Sequence, residues 1–91
     1  MVKAFVFLAT GFEEMEALGT VDVLRRAGIQ TTTVSISDEK KVVGAHQVPV
    51  EADALLSEVA LEGAAALVLP GGMPGATNLN ASTVLKEALL Q

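Results

Sequence analysis

Short apolar runs alternate with amphipathic stretches along the first part of the chain. Residues 2–9 form a nearly continuous apolar run, which is typical of a parallel strand covered by helices on both faces. A turn at residues 10–12 follows, and the pattern then predicts a helix over residues 13–27 that ends at Gly28. The apolar residues that recur at helical spacing, and that should face the core, are Ala17, Val21 and Leu24.

The middle of the chain predicts shorter elements. Residues 31–36 are rich in β-branched side chains and predict a second strand. A polar turn follows, and residues 42–43 and 48–50 predict a small β excursion. Pro49 lacks a backbone N–H, so we expect its segment at a sheet edge. Asp53 is placed to cap a short helix that extends to about residue 60.

The last third of the chain carries another apolar run and a glycine-rich loop. Residues 64–69 predict a buried strand, residues 71–79 predict the loop, and a final helix begins near Asn80. Strands that alternate with helices predict an α/β fold with a mainly parallel sheet. Ligands bind such folds at the carboxyl ends of the strands, so the loops at residues 10–16 and 70–78 should face one crevice.

The composition is too apolar for a small independent domain. The chain has 91 residues, of which 51% are hydrophobic, and 8 more are glycine, whereas the usual combined share is roughly 45–50%. A chain of this length buries only about 60–65% of its unfolded surface. We therefore expect a partner chain, or a C-terminal half of the same domain, to cover the excess, and we do not expect this chain alone to unfold as a cooperative monomer.

The charge pattern excludes several classes of partner. The formal net charge is -5, from 11 acidic and 6 basic residues, and basic residues do not cluster, so we expect neither nucleic acid nor an anionic membrane as a partner. The opening apolar run is too short to span a bilayer and lacks the basic start of a signal peptide. The chain contains no cysteine, so it has no disulfide framework, and a cytoplasmic location is the default expectation.

The glycine turn after the last apolar run is the strongest local signal. Gly71 and Gly72 follow Pro70 directly, and glycines allow backbone N–H groups to point toward an anion or a developing oxyanion. The spacing matches neither a Walker A loop nor a dinucleotide-binding fingerprint. A tight strand-to-helix turn without a ligand is the alternative.

Three carboxylates follow the first strand. Glu13, Glu14 and Glu16 stand near a helix start, where favourable interaction with the helix dipole is the simplest explanation for Glu13 and Glu14. Glu16 lies further along the first turn, where a partly desolvated carboxyl group could share a proton with a neighbour. His46 is the only histidine, and without cysteines or clustered carboxylates it predicts no metal site.

Three spaced segments make the chain resemble the ThiJ/PfpI (DJ-one-like) superfamily. They are residues 9–16, 21–29 and 67–79, and they occur in the family's order along the whole chain. The resemblance implies a flavodoxin-like, Rossmann-type three-layer sandwich, of which residues 1–91 would be the N-terminal half, and a homodimer as in many members. The family's reactive cysteine would lie just past Gln91, on a strained strand-to-helix turn.

The resemblance also implies roles for individual residues. Glu16 matches the glutamate that hydrogen-bonds the cysteine, and Gly72 matches the glycine whose N–H helps to form the oxyanion hole. Asp22 and Arg26 match positions near the dimer contact and the pocket rim, although an i,i+4 ion pair on a helix would also explain them. The residues implied to contact the substrate are Gly71, Met73 and His46.

The implied activity is that of a cysteine enzyme acting on small carbonyl substrates, glyoxalase- or deglycase-like or an amide hydrolase, with no cofactor and no metal. A thiolate would attack a carbonyl, while Glu16 holds or relays the proton and the Gly72 N–H stabilises the oxyanion. One alternative is a non-catalytic, redox-responsive chaperone or binding module. Another is a glutamine amidotransferase arrangement, which also uses a Pro-Gly-Gly turn, but the glutamate-rich first loop argues against it.

Overall fold

A computed structural model describes residues 2–70 of the chain. Within this range no helix is long and apolar enough to cross a membrane. The predicted loop at residues 71–79 and the helix near Asn80 lie outside the described residues. The described elements are β1 (Lys3–Leu8), α1 (Glu14–Arg26), β2 (Gln30–Ser35), β3 (Lys41–Val43), β4 (Pro49–Glu51), β5 (Ala54–Leu55), a 3-10 turn (Leu56–Glu58) and β6 (Ala66–Val68).

β1 lies inside a four-stranded parallel sheet. The strand order is β5-β2-β1-β6, and Val6 pairs with Thr33 on one side and with Val68 on the other. Val6, Phe7 and Leu8 are fully buried, because both faces of β1 are covered. The predicted buried first strand and the predicted parallel sheet are therefore confirmed.

Alternate residues of β1 enter two hydrophobic clusters, one on each face of the sheet. One cluster is covered by the segment around the 3-10 turn and consists of Phe5, Phe7, Ala9, Val34 and Leu56. The other is covered by α1 and by the β3–β4 hairpin and consists of Val6, Leu8, Phe12, Ala17, Val21, Val42 and Ala52.

α1 connects β1 to β2 and packs one apolar stripe on the sheet. Ala17 and Val21 are buried and Leu24 is half-buried, as the helical spacing predicts. Gly28 follows the helix with a φ of 83°, and its N–H donates to Arg25 O at 3.1 Å, which is the glycine-terminated pattern that ends many helices. The predicted helix is confirmed to within one residue at each end.

β3 and β4 form a separate antiparallel pair beside the first loop. Val42 pairs with Val50, and Val43 pairs with Pro49. In a two-stranded sheet both strands are edges, so Pro49 removes no hydrogen bond from an inner strand. The predicted β excursion, with Pro49 at an edge, is confirmed.

The prediction of a short helix after Asp53 is wrong. Residues Ala54–Leu55 form β5, and only Leu56–Glu58 form a single 3-10 turn. Asp53 caps no helix because its Oδ2 accepts a hydrogen bond from Thr33 N–H at 2.9 Å on the neighbouring strand. A contact across the sheet therefore replaces the local cap that the sequence suggests.

The strand predicted at residues 64–69 exists but is shorter and less buried than expected. β6 covers Ala66–Val68, with its first two residues exposed and its last half-buried. It pairs with β1, and within residues 2–70 no strand pairs with its other edge. Leu67 and Leu69 are exposed in this range, so the prediction of a buried strand is wrong for the described part of the chain.

Candidate active site

The candidate site lies at the carboxyl edge of the main sheet. β1 and β6 are adjacent and parallel, with Val6 opposite Val68, so the segments that follow them leave from the same edge. One segment leads to Glu16 in the first turn of α1, and the other leads to the buried Pro70. That Glu16 and Gly72 lie on the same crevice stays a prediction, because the structure does not describe Gly71, Gly72 and Met73.

Backbone hydrogen bonds join the loop after β1 to the β3–β4 hairpin. Gly11 N–H donates to Val43 O, and Ala45 N–H donates to Phe12 O, each at 2.8 Å. Gly11 has a φ of 87°, which glycine adopts without strain, and Phe12 is fully buried. The loop that leads into α1 and the hairpin tip (residues 44–48) therefore form one packed unit.

Glu14, the first residue of α1, inserts its carboxylate into the hairpin tip. Its side chain is only 10% exposed. Oε2 accepts hydrogen bonds from His46 N–H at 2.7 Å and from Val48 N–H at 3.4 Å, while Oε1 lies 2.9 Å from His46 Nδ1. Both carboxylate oxygens thus have partners on the hairpin.

These contacts set the ionisation of the two side chains. Burial raises the pKa of Glu14, but the hydrogen bonds from the His46 ring and from backbone N–H groups outweigh burial and lower that pKa from 4.5 to about 2. The hydrogen bond to Glu14 raises the pKa of His46 above 6.5, and the negative charges of Glu14 and Glu13 add to this increase. The pair is therefore a carboxylate and an imidazolium in mildly acidic solution.

Gly44 leaves the space that the Glu14 carboxylate occupies. A Cβ on Gly44 would lie 2.5 Å from Glu14 Oε2 and 2.6 Å from Cγ, and it would overlap Cδ. The hairpin turns tightly here, because Gln47 has a φ of 67° and its N–H donates to Gly44 O. This turn directs the N–H groups of His46 and Val48 toward the same oxygen.

The two neighbouring glutamates have different surroundings. Glu13 is the N-cap of α1, and its Oε1 accepts a hydrogen bond from Met15 N–H at 3.2 Å. Glu16 is exposed and borders a shallow surface concavity that it shares with Met15 and Gly19. Three carboxylates that are nearly equivalent in the sequence pattern therefore occupy three separate environments.

Glu13, Glu14 and His46 bring three potential metal ligands together. One ligand atom of each lies within 4.8 Å of the others. The sequence pattern did not indicate that two carboxylates lie close to His46, but the fold brings them together. However, Glu14 Oε2 receives two backbone N–H groups, and Glu13 Oε1 receives Met15 N–H. Hydrogen bonding within the protein accounts for this group, and we assign no metal to it.

Asp22 and Arg26 pair with each other on the outer side of α1. Arg26 Nε donates to Asp22 Oδ1 at 3.1 Å, and both side chains are well exposed. Two apolar residues of the same helix, Met15 and Val23, are 83% and 65% exposed. The ion pair expected from helical spacing is present, whereas the dimer contact stays a prediction.

Sequence reasoning missed the role of Glu14 and of Gly44. The local pattern gives Glu14 only an interaction with the helix dipole, because its partner His46 lies 32 residues away. No spacing along the chain reports such a contact. The available signal is the short segment between the two hairpin strands, where Gly44 precedes the only histidine.

Comparison with known proteins identifies relatives along the whole chain. The DJ-1/PfpI family pattern matches residues 2–91. The chain is 41% identical over 88 residues to the Parkinson disease protein 7 homolog of Danio rerio, covering 96% of this chain and 47% of that protein. It is 37% identical over 87 residues to the dj-1beta protein of Drosophila melanogaster, covering 96% of this chain and 46% of that protein.

Solved structures share the fold over nearly the same range. A mutant of a DJ-1 superfamily protein from Salmonella typhimurium is 41% identical with a TM-score of 0.94, covering 99% of this chain and 49% of that chain. Oxidized DJ-1 of Toxoplasma gondii is 39% identical with a TM-score of 0.93 and the same coverages. The predicted flavodoxin-like α/β fold is confirmed, and the chain spans about half the length of these relatives.

Proposed function

Because the chain belongs to the DJ-1/PfpI family, we propose that it is the N-terminal half of a cysteine enzyme that acts on small carbonyl substrates, glyoxalase- or deglycase-like or an amide hydrolase. The observation that carries the proposal is the parallel pairing of β1 with β6. Because these strands are parallel neighbours, the segment that leads from β1 to Glu16 and the segment that leads from β6 to Pro70 leave the sheet at the same edge. This is the edge at which α/β folds bind ligands. The proposal needs no cofactor and no metal.

In the proposed reaction a cysteine outside these 91 residues supplies the nucleophile. Its thiolate attacks the carbonyl carbon, the carbonyl π electrons move onto oxygen, and the Gly72 N–H stabilises the oxyanion. Glu16 holds or relays the proton that the thiol and the new alkoxide exchange. The residues proposed to contact the substrate are Gly71, Met73 and His46.

The contacts of the other two glutamates support the choice of Glu16. Hydrogen bonds to the hairpin hold the pKa of Glu14 at about 2, so this carboxylate is a poor proton carrier near neutral pH. Glu13 Oε1 accepts from Met15 N–H as the cap of α1. Glu16 is exposed on the same helical turn, and the proposal assigns the contact with the nucleophile to it because Glu16 is the residue that matches the family's glutamate.

The test is a comparison of Glu16→Gln with Glu13→Gln in the full-length protein. We expect Glu16→Gln to lower turnover of methylglyoxal on the order of 10²–10⁴-fold and to shift the pH dependence of thiol alkylation. Glu13→Gln, the matched control, should change both much less. Equal behaviour of the two variants would show that Glu16 is only a carboxylate at a helix start.

A homodimer through α1 is a second part of the proposal. Met15 and Val23 are largely exposed apolar residues, and the Asp22–Arg26 pair lies on the same helix. Apolar residues beside a small number of charged groups are typical of subunit contacts. Val23→Glu should convert a dimer into a monomer in light-scattering measurements, whereas a change at an exposed charge on another element, Lys41→Glu, should leave the dimer intact.

The runner-up function is a redox-responsive chaperone or binding module without catalysis. Exposed Leu67 and Leu69 on and after β6 favour it, because exposed apolar surface near a strand edge can bind unfolded chains. Suppression of client aggregation by Glu16→Gln as strong as by the unmodified protein, together with no turnover by either protein, would support this function. A cytoplasmic location stays a prediction under both functions.

A further inference from the structure

Glu14 is a buried carboxylate that the proposed reaction does not use. Its side chain is 10% exposed, and both of its oxygens contact the hairpin tip at residues 44–48. Gly44 has no side chain at the point where a Cβ would overlap this carboxylate. Burial, a set of converging donors and a matched space together indicate a built contact and not a chance one.

We propose that Glu14 is a positioning residue, which fixes the first turn of α1 against the hairpin tip and thereby sets where the Glu16 carboxyl group stands. This inference rests on the proposed function, because it gives Glu14 a role only through Glu16. Glu14 itself contacts neither substrate nor nucleophile in this scheme.

The geometry gives the mechanism. Glu14 and Glu16 belong to the same helical turn, which is closed by the Ala17 N–H donating to Glu13 O at 3.0 Å. A rotation or translation of this turn that moves Glu14 out of the hairpin tip must therefore move Glu16 as well. Active-site groups tolerate little displacement, since an error of about 1 Å can cost on the order of 10²-fold in rate.

Two other contacts hold the hairpin tip in place, so it can serve as a fixed reference. Gly11 N–H donates to Val43 O, and Ala45 N–H donates to Phe12 O. Both contacts join the hairpin to the loop after β1, whose strand lies inside the sheet. The contacts of Glu14 with the hairpin tip then fix the first turn of α1 relative to the hairpin and to the loop after β1.

The experiment uses four variants of the full-length protein, with kcat and KM for methylglyoxal and the pH profile of thiol alkylation as readouts. Glu14→Gln keeps a carbonyl oxygen that can still accept from the hairpin, so this variant should fold. Gly44→Ala keeps the charge of Glu14 but displaces its carboxylate. We expect Gly44→Ala to lower kcat on the order of 10-fold. Glu14→Gln, which loses only the contact with the His46 ring, should lower kcat less. Both should shift the thiol pH profile in the same direction as Glu16→Gln.

Asp53→Asn is the matched control, since Asp53 also accepts a backbone N–H from a distant residue but contacts neither the hairpin tip nor the start of α1. It should leave kcat and the thiol pH profile unchanged. A similar change in Asp53→Asn would mean that any loss of stability has this effect, and the positioning role would be overturned.

The remaining outcomes separate the two proposals. If Glu16→Gln alters turnover but Glu14→Gln and Gly44→Ala do not, the positioning role is wrong and the proposed function stands. If Glu14→Gln acts but Gly44→Ala does not, Glu14 works through its charge and not through position, which also overturns the inference. If Glu16→Gln has no effect, the proposed function fails and the positioning role fails with it.

Discussion

The two ends of α1 are both fastened by carboxylates, but in different surroundings. At the N-terminal end, the Glu14 side chain is 10% exposed and its oxygens face two backbone N–H groups and an imidazole. Near the C-terminal end, Asp53 Oδ2 accepts from Thr33 N–H and from the Arg25 guanidinium. Here Arg25 and Asp53 are 52% and 47% exposed.

We infer from this difference that burial, more than the number of hydrogen bonds, determines how much each carboxylate contributes to stability. At the exposed end water can replace the Arg25 guanidinium or the Asp53 carboxylate in their ion pair, and salt screens the two charges. At the buried end, loss of the carboxylate leaves backbone N–H groups without an acceptor, which costs more than the bond itself contributes. Stability should therefore depend strongly on the N-terminal attachment and weakly on the C-terminal one.

Removal of the buried carboxylate should have the largest effect. Glu14→Ala leaves the N–H groups of His46 and Val48 without their acceptor, and we expect Tm to fall on the order of 10 °C. Thermal unfolding followed by circular dichroism measures the fall, with Glu13→Ala as the neighbouring control, because Glu13→Ala loses a cap and only a longer contact of 4.0 Å with His46 Nδ1. A larger fall in Asp53→Ala than in Glu14→Ala would reverse the comparison between the two ends.

Gly44→Ala should have the next largest effect, and only while Glu14 is present. The added Cβ overlaps the Glu14 carboxylate, so either this group or the hairpin must shift, with a fall in Tm of about 5 °C. In the Glu14→Ala background the same substitution should change Tm little, because contacting residues show non-additive effects. Additive effects of the two substitutions would mean that they do not touch.

The main sheet was predictable because its signals are local. The apolar run of β1, the spacing of Ala17 and Val21, and the glycine after α1 each report burial or a helix end within a few residues. The parallel order follows from the alternation of strands and helices. The prediction failed after Asp53, because its carboxylate accepts a hydrogen bond from Thr33 N–H across the sheet and therefore does not accept from the N–H groups of a following helix.

The candidate site was predictable only in part. The sheet edge and the segment that carries Glu16 follow from the strand pattern and from the resemblance. The different surroundings of Glu13 and Glu14 do not, because they depend on which carboxylate faces the hairpin, and the hairpin tip is about thirty residues away in the chain. Spacing within one helical turn cannot distinguish a buried carboxylate from an exposed one.

The pH dependence of stability should follow the Glu14–His46 pair. The folded-state pKa of His46 is raised above 6.5, so its contribution is fully present below pH 6.5 and is lost as the pH rises through the folded value. The folded-state pKa of Glu14 is lowered from 4.5 to about 2, so its contribution is present above pH 4.5 and is lost as the pH falls toward 2. The pair should stabilise most between pH 4.5 and 6.5.

Two measurements check this window. The His46 ring signals in NMR spectra, assigned by their loss in His46→Gln, should titrate at a pKa above 6.5 and move to a lower value in Glu14→Gln. The difference in Tm between the unmodified protein and His46→Gln should shrink as the pH rises through that pKa. A constant difference across neutral pH would show that protonation of His46 contributes nothing to stability.

Asp53→Asn should have a smaller effect than either change at the N-terminal end. The amide keeps an oxygen that can accept from Thr33 N–H, and the exposed contact with Arg25 loses only its charge. We expect the free energy of unfolding to fall by about 0.5–1 kcal/mol, measured by urea denaturation. High salt should lower the stability of the unmodified protein toward that of the variant, and an effect independent of salt would point to the backbone contact alone.

The Asp22–Arg26 pair should contribute least to the stability of the chain. Its side chains are 63% and 78% exposed, and i,i+4 ion pairs of this kind are worth about 0.3–0.5 kcal/mol. Arg26→Gln should therefore change the urea midpoint of the dilute protein only slightly, and Asp22→Asn should add nothing further once Arg26 is gone.

Arg26→Gln also tests the subunit contact at concentrations where a dimer forms. If α1 is the subunit contact, Arg26→Gln should raise the dissociation constant in sedimentation experiments by more than its small effect on unfolding accounts for. An unchanged dissociation constant would place the dimer contact elsewhere on the protein.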